Sequence, residues 1–482
     1  MASLEEIPKE QLDQALSLLC EKFSLLSISG RIYGLDNENV ETILHGDVDT
    51  TMIGLDFYSR TDATILMERL LERSDIPIHE KYIRVVIKNW LKSPKTKMYK
   101  RIAFSPIEQP ADVLNLYRGP IEAIEGDWTI IRNFLYEVIC GEDEERTEYL
   151  LNYLAHAIQK PEEKPEIMIS LQSEQGDGKG TFFELIKAMW PHTTVFVQKT
   201  DQITGRFNEA LSHSFFVLSD EAWFSGDKKT NAALKSVITE RHIVVEQKNK
   251  PSRVINSHHR FIAASNEDKI ANVSPKDRRF AMYPVSSKYR QNHDYFGALR
   301  QAIIQKKHKT EVHAFVHHLA KRDLTNFNIR KRPLTQLHAE QKLDSLDSPQ
   351  SWLVNIIETR QVNDLFNLSE TDPLWVPTKV LLNAYLDYDS NAERYGKKSN
   401  HWLIRQIKKV YPNLSDKRPA STDRSRGLWL PPLPEMRLLF NQWIGYAFDW
   451  DGTNESQKIS GQNGSSGLSP LPNNYEEAKW GA

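Results

Sequence analysis

The sequence predicts an α/β protein built around a phosphate-binding loop (P-loop), with an α+β or helical unit before it and a winged-helix-like unit after it. Three observations lead there. Ile167–Leu171, Phe215–Leu218 and Phe261–Ala264 are short and continuously apolar, as parallel strands covered on both faces are. A glycine-rich turn follows the first run, and a helix begins near Thr181. Stretches with helical apolar spacing occupy both flanks.

Taken in order, Lys9–Leu26 reads as a helix and Arg31–Gly34 as strand, while Asp62–Glu72 and Glu80–Leu91 carry helical spacing. Pro106, Pro110 and Pro120, with Gly119 and Gly126, mark a loop-rich passage. Thr129–Ile139 and Glu144–Ile158 follow as helices, the second with Leu150, Leu151, Tyr153, Leu154 and Ile158 inward. His242–Gln247 and Arg253–Asn256 flank Lys248-Asn249-Lys250-Pro251-Ser252, a hairpin with a basic tip. Residues 331–349 read as a connector, and 350–450 as a unit with helices at Trp352–Glu358, Lys379–Tyr388 and Trp402–Val410. The Gly-, Ser-, Asn- and Pro-rich stretch 451–482 is expected to be disordered. The expected domains are therefore 1–125, 126–330 and 350–450.

Composition narrows the class. The 482 residues suggest three domains at roughly 150 residues each. Lys and Arg number 62 against 64 Asp and Glu, a net charge of −2, so a whole-surface polyanion binder is excluded while local basic patches are not. Two cysteines, Cys20 and Cys140, exclude a disulfide-stapled scaffold and fit a reducing compartment. No apolar run approaches the ~18 residues of a membrane span, and MASLEEIPKEQ has no signal-peptide pattern. A cytoplasmic location (the host cell's, if the gene is viral) and no membrane partner are expected.

Residues 167–182, IMISLQSEQGDGKGTF, place Gly176, Asp177, Gly178, Lys179, Gly180 and Thr181 between a strand and a helix. Glycines let backbone N–H groups converge on phosphate oxygens, the helix N-terminus adds partial positive charge, and the lysine bridges β- and γ-phosphates. The pattern departs from G-x-x-x-x-G-K-[ST] twice: Ser173 replaces the first glycine, and the hydroxyl sits one place late, at Thr181. Thr181 is the candidate hydroxyl near Mg²⁺. The second apolar run ends in Asp220-Glu221, where Asp220 suits Mg²⁺ and Glu221 suits deprotonation of a water. The third delivers Asn266, able to bond a γ-phosphate or the lytic water, and Arg278-Arg279 follows. Each feature alone also has a structural reading: a surface turn, a strand-end acid pair, a turn asparagine, ordinary ion-pair donors.

The order of features is more specific than any one of them. It runs P-loop, strand-Asp-Glu, Ala233–Glu240, Glu246-x-Lys248, strand-Ser-Asn, Arg-Arg. This order resembles superfamily 3 helicases of the AAA+ class. It is most similar to the C-terminal helicase part of phage, plasmid and large-DNA-virus primase–helicases. Phe104-Ser105-Pro106, Leu114–Gly119, Tyr153–Pro161, Thr204-Gly205-Arg206-Phe207-Asn208 and Ser265–Asp268 extend the match. It spans roughly 90–345, and 346–450 more loosely. The resemblance implies an AAA+ core in which Lys179 and Thr181 bind ATP and Mg²⁺ and Asp220 and Glu221 form a Walker B pair. Asn266 is then sensor 1, and Arg278 or Arg279 a finger supplied to the next protomer. It also implies a ring, typically a hexamer, translocating 3′→5′ on single-stranded DNA. A primase or polymerase would act in trans, since Asp47 and Asp49 follow His45-Gly46 rather than an apolar strand.

Two basic stretches are candidate DNA contacts. Residues 228–260 carry eight Lys and Arg against two acids, with Lys248, Lys250 and Arg253 at the hairpin. Residues 394–426 carry ten against two: Arg405, Lys408 and Lys409 on a helix, then Lys417, Arg418, Arg424 and Arg426 on an expected basic hairpin, the pattern of a winged helix. A charged solvated face is the plain alternative for both. Two other functions remain open: an ATP-dependent initiator or loading scaffold that unwinds nothing, and a small-substrate P-loop phosphotransferase.

Overall fold

Apolar strand segments of four to six residues need cover on both faces, and helices from the same stretch of chain supply it. The elements concerned are β1 (Met168–Gln172), α1 (Lys179–Met189), β2 (Thr194–Val197), β3 (Phe216–Asp220), α2 (Lys228–Thr239), β4 (His242–Val245), β5 (Arg253–Asn256) and β6 (Arg260–Ser265). The computed structural model describes residues 6–28, 30–46, 55–220, 228–246, 252–266, 273–275, 277–304, 310–394, 396–417, 419 and 425–451. Four parallel strands stand in the order β2-β3-β6-β1. β1 and β3 are buried up to their last residue and β6 throughout. Register pairs Ser265 with Gln172 and Ala264 with Asp220, so three strands finish at one edge of the sheet. The three predicted runs are thus neighbouring strands; β2, at the far side, was not predicted.

The chain divides into two compact units, Met1–Asn266 with Val285–Lys331, and Glu267–Pro284 with Arg332–Ala482. Ahead of the parallel sheet, the first unit holds a four-stranded sheet ordered Phe57–Tyr58, Arg31–Asp36, Phe23–Ile28, Met98–Tyr99. Helices Lys9–Lys22, Arg60–Arg73 and Glu80–Trp90 supply its core through Leu19, Met67, Val86 and Trp90. The helix expected over Lys9–Leu26 stops at Lys22, because Phe23–Ile28 pairs antiparallel with Arg31–Asp36 instead. Sheet pairing here overrides helical spacing. The helix expected over Thr129–Ile139 is α-helical to Asn133 and then widens to a π-type turn over Phe134–Ile139, with Cys140 N–H donating to the Leu135 carbonyl at 2.9 Å.

In the second unit the stretch expected to be a connector is ordered. Helix Gln336–Asp344 buries Leu337, His338 and Ala339, and Thr335 donates to the Met282 carbonyl of strand Phe280–Pro284. Helices Ser348–Thr359, Thr378–Tyr388, Asn400–Val410 and Leu433–Ile444 enclose a core that includes Trp352, Leu381, Ile407 and Phe440. The strand Gly427–Leu430 pairs antiparallel with Leu374–Pro377. Of the hairpin expected around Lys417 to Arg426, residues 418 and 420–424 lie outside the described residues; residues 411–417 form no strand, and Trp429 links them to Gly427–Leu430 by donating its backbone N–H to the Ser415 carbonyl at 2.9 Å and its Nε1–H to the Lys417 carbonyl at 2.8 Å. Among the described residues no helix is long and apolar enough to cross a membrane.

At its other edge the parallel sheet rests on a buried polar cluster. Arg260, fully buried at the start of β6, donates to the carbonyls of His258, Lys160 and Glu163 and to His156 Nδ1, and lies 4.4 Å from the Phe215 ring centre. Burial, together with the Arg260 charge, lowers the His156 pKa to about 4. Burial and the Lys164 charge lower that of His259 to about 3. In the unfolded chain both histidines take up protons near pH 6.5, whereas folded they stay neutral. Stability therefore falls as pH drops from about 6.5 through 4. Urea midpoints should decrease across that window, and His259→Gln should flatten the slope; a pH-independent midpoint would contradict the buried neutral state.

Candidate functional site

The common strand edge brings the sequence-predicted groups together. After β1 the chain turns through the cradle at residues 173–178, and the Ser173 N–H donates to the Ser265 carbonyl at 3.1 Å, extending the β1–β6 pairing. Gly178, at φ +100°, sits where a Cβ would lie 2.8 Å from the Phe296 ring and 3.2 Å from Phe134. Glycine is required there on both conformational and packing grounds. The π-type turn that carries Phe134 therefore bears directly on the loop. Gly178 also caps α1 without a side-chain bond, leaving the first N–H groups of that helix to face whatever enters the cradle.

Lys179 opens α1, nine-tenths buried, and its ammonium turns back across the strand ends. It lies 3.4 Å from Asp220 Oδ1 at the end of β3 and donates to Asn266 Oδ1 just past β6. Asp220 is half exposed, so one face of its carboxylate stays open to solvent. Thr181 is buried on the first turn of α1 and Gly180 is exposed, with open space where a Cβ would stand. One carboxylate and one hydroxyl are the donor set that Mg²⁺ uses when substrate phosphates complete its shell, so Asp220 and Thr181 fit that ion.

Asp177 has a different surrounding. Its carboxylate is buried, accepts from the Glu174 N–H at 3.0 Å, and is gripped by Arg290 at 2.7 Å (Nε) and 3.1 Å (Nη2). Arg290 Nη1 reaches Glu174 at 2.7 Å. Asp177 thus shapes the loop through Arg290, a residue that sequence reasoning missed. Its only local signal is an unremarkable Tyr-Arg-Gln after a proline-containing strand.

The other predicted residues lie elsewhere. In the second unit Arg279 bonds Asp277, its own N–H to Oδ1 at 3.0 Å and its Nη1 to Oδ2 at 3.4 Å. Arg278 is exposed and pairs with no group among the described residues. β4 and β5 form the antiparallel hairpin predicted for this stretch, with Arg253 opening β5. Helix Asn400–Val410 buries Leu403, Ile407 and Val410 and leaves Arg405 and Lys409 exposed, with Lys408 half-buried; Lys417 and Arg426 are exposed. Trp402 is partly buried against the core. Glu221, Lys248, Lys250, Arg418, Arg424, Asp47 and Asp49, and the tail beyond Asp451, lie outside the described residues, as does the Arg253 side chain.

Fold and site together define a mixed α/β protein with a glycine-rich strand-to-helix turn whose lysine is shared by the ends of two neighbouring strands. Residues 171–279 match the model of a family of unknown function, DUF5906. That match takes in the cradle, Asp220, the hairpin, Asn266 and both arginines. No curated protein matches the chain. The A-form apo structure of the NrS-1 C-terminal region is similar in fold, with a TM-score of 0.60 and 15% identity over 86% of this chain and 98% of that one. A second apo structure of that region gives 0.59 and 15% over 88% and 100%.

The clamp on the loop is testable. Arg290→Ala removes the ion-pair partner of a buried carboxylate, leaving it only the Glu174 N–H, and should lower the urea midpoint. In a double-mutant cycle measured by urea unfolding, adding Asp177→Asn should recover most of that loss. Additive losses would show that the pair is not coupled.

Proposed function

We propose that this chain is an ATP-driven DNA helicase or translocase of superfamily 3 type, an AAA+ motor that works as an oligomeric ring, a hexamer, in replication of a phage or mobile element. The observation that carries the reading is Lys179 drawn between Asp220 and Asn266 at the mouth of the glycine cradle. A lysine held by an acid and an amide in this way is already aimed at the space that a triphosphate would share with them. In this reading the α1 N–H groups and Lys179 bind the phosphates, and Asn266 orients the γ-phosphate or the attacking water. Glu221 takes the proton of that water. Mg²⁺, held by Asp220 and Thr181, would neutralise charge on the phosphate oxygens.

Arg278 is the finger and Arg279 its support. A residue that must reach a neighbouring subunit's ATP has to be uncommitted in its own chain; Arg278 is exposed and pairs with no group among the described residues, while Arg279 is tied to Asp277. The β4–β5 hairpin would present Lys248, Lys250 and Arg253 to the strand. The C-terminal unit is read as a winged helix that lays Asn400–Val410 on DNA, with Arg405, Lys408, Lys409, Lys417, Arg418, Arg424 and Arg426 toward the backbone.

Steady-state ATPase with and without single-stranded DNA, run beside a forked-duplex unwinding assay, tests this. Stimulation with unwinding is expected; ATP binding without unwinding would favour the initiator scaffold, and indifference to DNA the phosphotransferase. Lys179→Ala should lower turnover by about a hundredfold or more, the scale of losing one charge-stabilising group. Mixing inactive Arg278→Ala with inactive Lys179→Ala should restore part of the turnover, because mixed interfaces of one orientation join the intact cradle of an Arg278→Ala subunit to the intact finger of a Lys179→Ala subunit. No recovery would refute the assignment in trans.

A further inference from the structure

The β4–β5 hairpin is tied at its root by two side chains from distant parts of the first unit. On one side stands the Thr204-Gly205-Arg206-Phe207-Asn208 loop, which precedes β3. Asn208 there takes the place of a neighbouring strand: its Oδ1 accepts from the Glu246 N–H at 3.0 Å and its Nδ2 donates to the Val244 carbonyl at 2.9 Å. Arg206 adds an exposed ion pair to Glu246 at 3.1 Å, a contact of little energetic weight. On the other side stands Lys164, shortly before β1. It donates to the carbonyls of Val237 and Glu240, both at 2.7 Å, where the chain leaves α2 for the hairpin, and to the Ser257 hydroxyl just after β5. One ammonium therefore joins the end of α2, where the chain enters the hairpin, to the segment just after β5, where it leaves.

Neither contact is a surface accident. Asn208 is buried, and burial pushes the Lys164 pKa down to about 7 against the pull of Glu166 and Glu240. A cation kept out of water in this way persists only because three oxygens accept from it. A cavity of about 350 Å³, lined in part by Gly205, Asn208, Ser236, Glu240, His242 and Glu246, lies beside the hairpin. Close packing is incomplete at this corner, so discrete hydrogen bonds hold the hairpin there.

We propose that Asn208 and Lys164 are positioning residues that couple the nucleotide cradle to the hairpin. Each ties the hairpin to a strand that ends at the cradle: Asn208 through β3, which carries Asp220, and Lys164 through β1, which leads into the glycines. A shift of either strand end on nucleotide binding would then be transmitted to the hairpin root. This rests on the motor reading for its biological use, but its physical content does not need DNA.

The test is hydrogen exchange of the 242–246 segment in the full-length protein, with and without a non-hydrolysable ATP analogue and Mg²⁺. ATPase with and without single-stranded DNA is measured in parallel. In the wild type the analogue should change exchange across β4. In Asn208→Ala and Lys164→Met exchange should be at least about tenfold faster and no longer respond to the analogue, while analogue affinity stays within about twofold of wild type. Half-maximal stimulation should then need about tenfold more DNA. Asn208→Asp, which keeps the acceptor for Glu246 and loses the donor to Val244, should be intermediate, as should Lys164→Arg. A hairpin that still responds to nucleotide in both truncations overturns the proposal, as does an equal loss of analogue affinity. An ATPase indifferent to DNA would sink the motor reading alone; an anchor-dependent response to nucleotide would still stand.

Discussion

The site depends on one arrangement: a lysine ammonium bridging the ends of two parallel strands at the mouth of a glycine turn. Lys179 can meet both Asp220 and Asn266 because β1, β3 and β6 finish in register, and they do so because their apolar residues demand cover on both faces. Parallel strands that end together place every following side chain at one edge, where open α/β sheets bind ligands. The cation, the acid and the amide are therefore consequences of how the core packs.

The cradle is kept in shape by contacts that are themselves buried. Gly178 has no room for a side chain against Phe296 and Phe134, and Asp177 is locked to Arg290. The loop thus pays its ordering cost on folding, so the N–H groups of α1 need little rearrangement to meet an anion. The opposite edge of the sheet is also polar: Arg260 donates to carbonyls and to His156 Nδ1, and burial keeps His156 and His259 neutral. The two edges differ in that one centres on a fully buried arginine and the other keeps an exposed acid.

Much of the core was legible in the sequence. Continuous apolar runs gave β1, β3 and β6 to within a residue or two, and glycine spacing gave the turn, because both signals are local. The edge strand β2 escaped because Thr-Val-Phe-Val is short and Phe196 faces solvent, which blurs the buried-strand texture. Arg290 escaped because an ion pair spanning 113 positions leaves no periodic trace. Phe23 shows the converse: four apolar or small residues compatible with helix were claimed by a neighbouring strand. In the C-terminal unit the helices near Trp352–Glu358, Lys379–Tyr388 and Trp402–Val410 were legible from their apolar stripes, whereas Gln336–Asp344 was read as a connector and Leu433–Ile444 was not read as a helix. The partner of Gly427–Leu430 was not, since it lies far upstream at Leu374–Pro377.

The most direct measurement is a structure of the full-length protein with a non-hydrolysable ATP analogue and Mg²⁺. The triphosphate is predicted to lie across residues 176–181, with Lys179 moved from Asp220 and Asn266 onto phosphate oxygens. Density for the analogue anywhere else, or an empty cradle at saturating concentration with Lys179 still on its acid and amide, would contradict the reading.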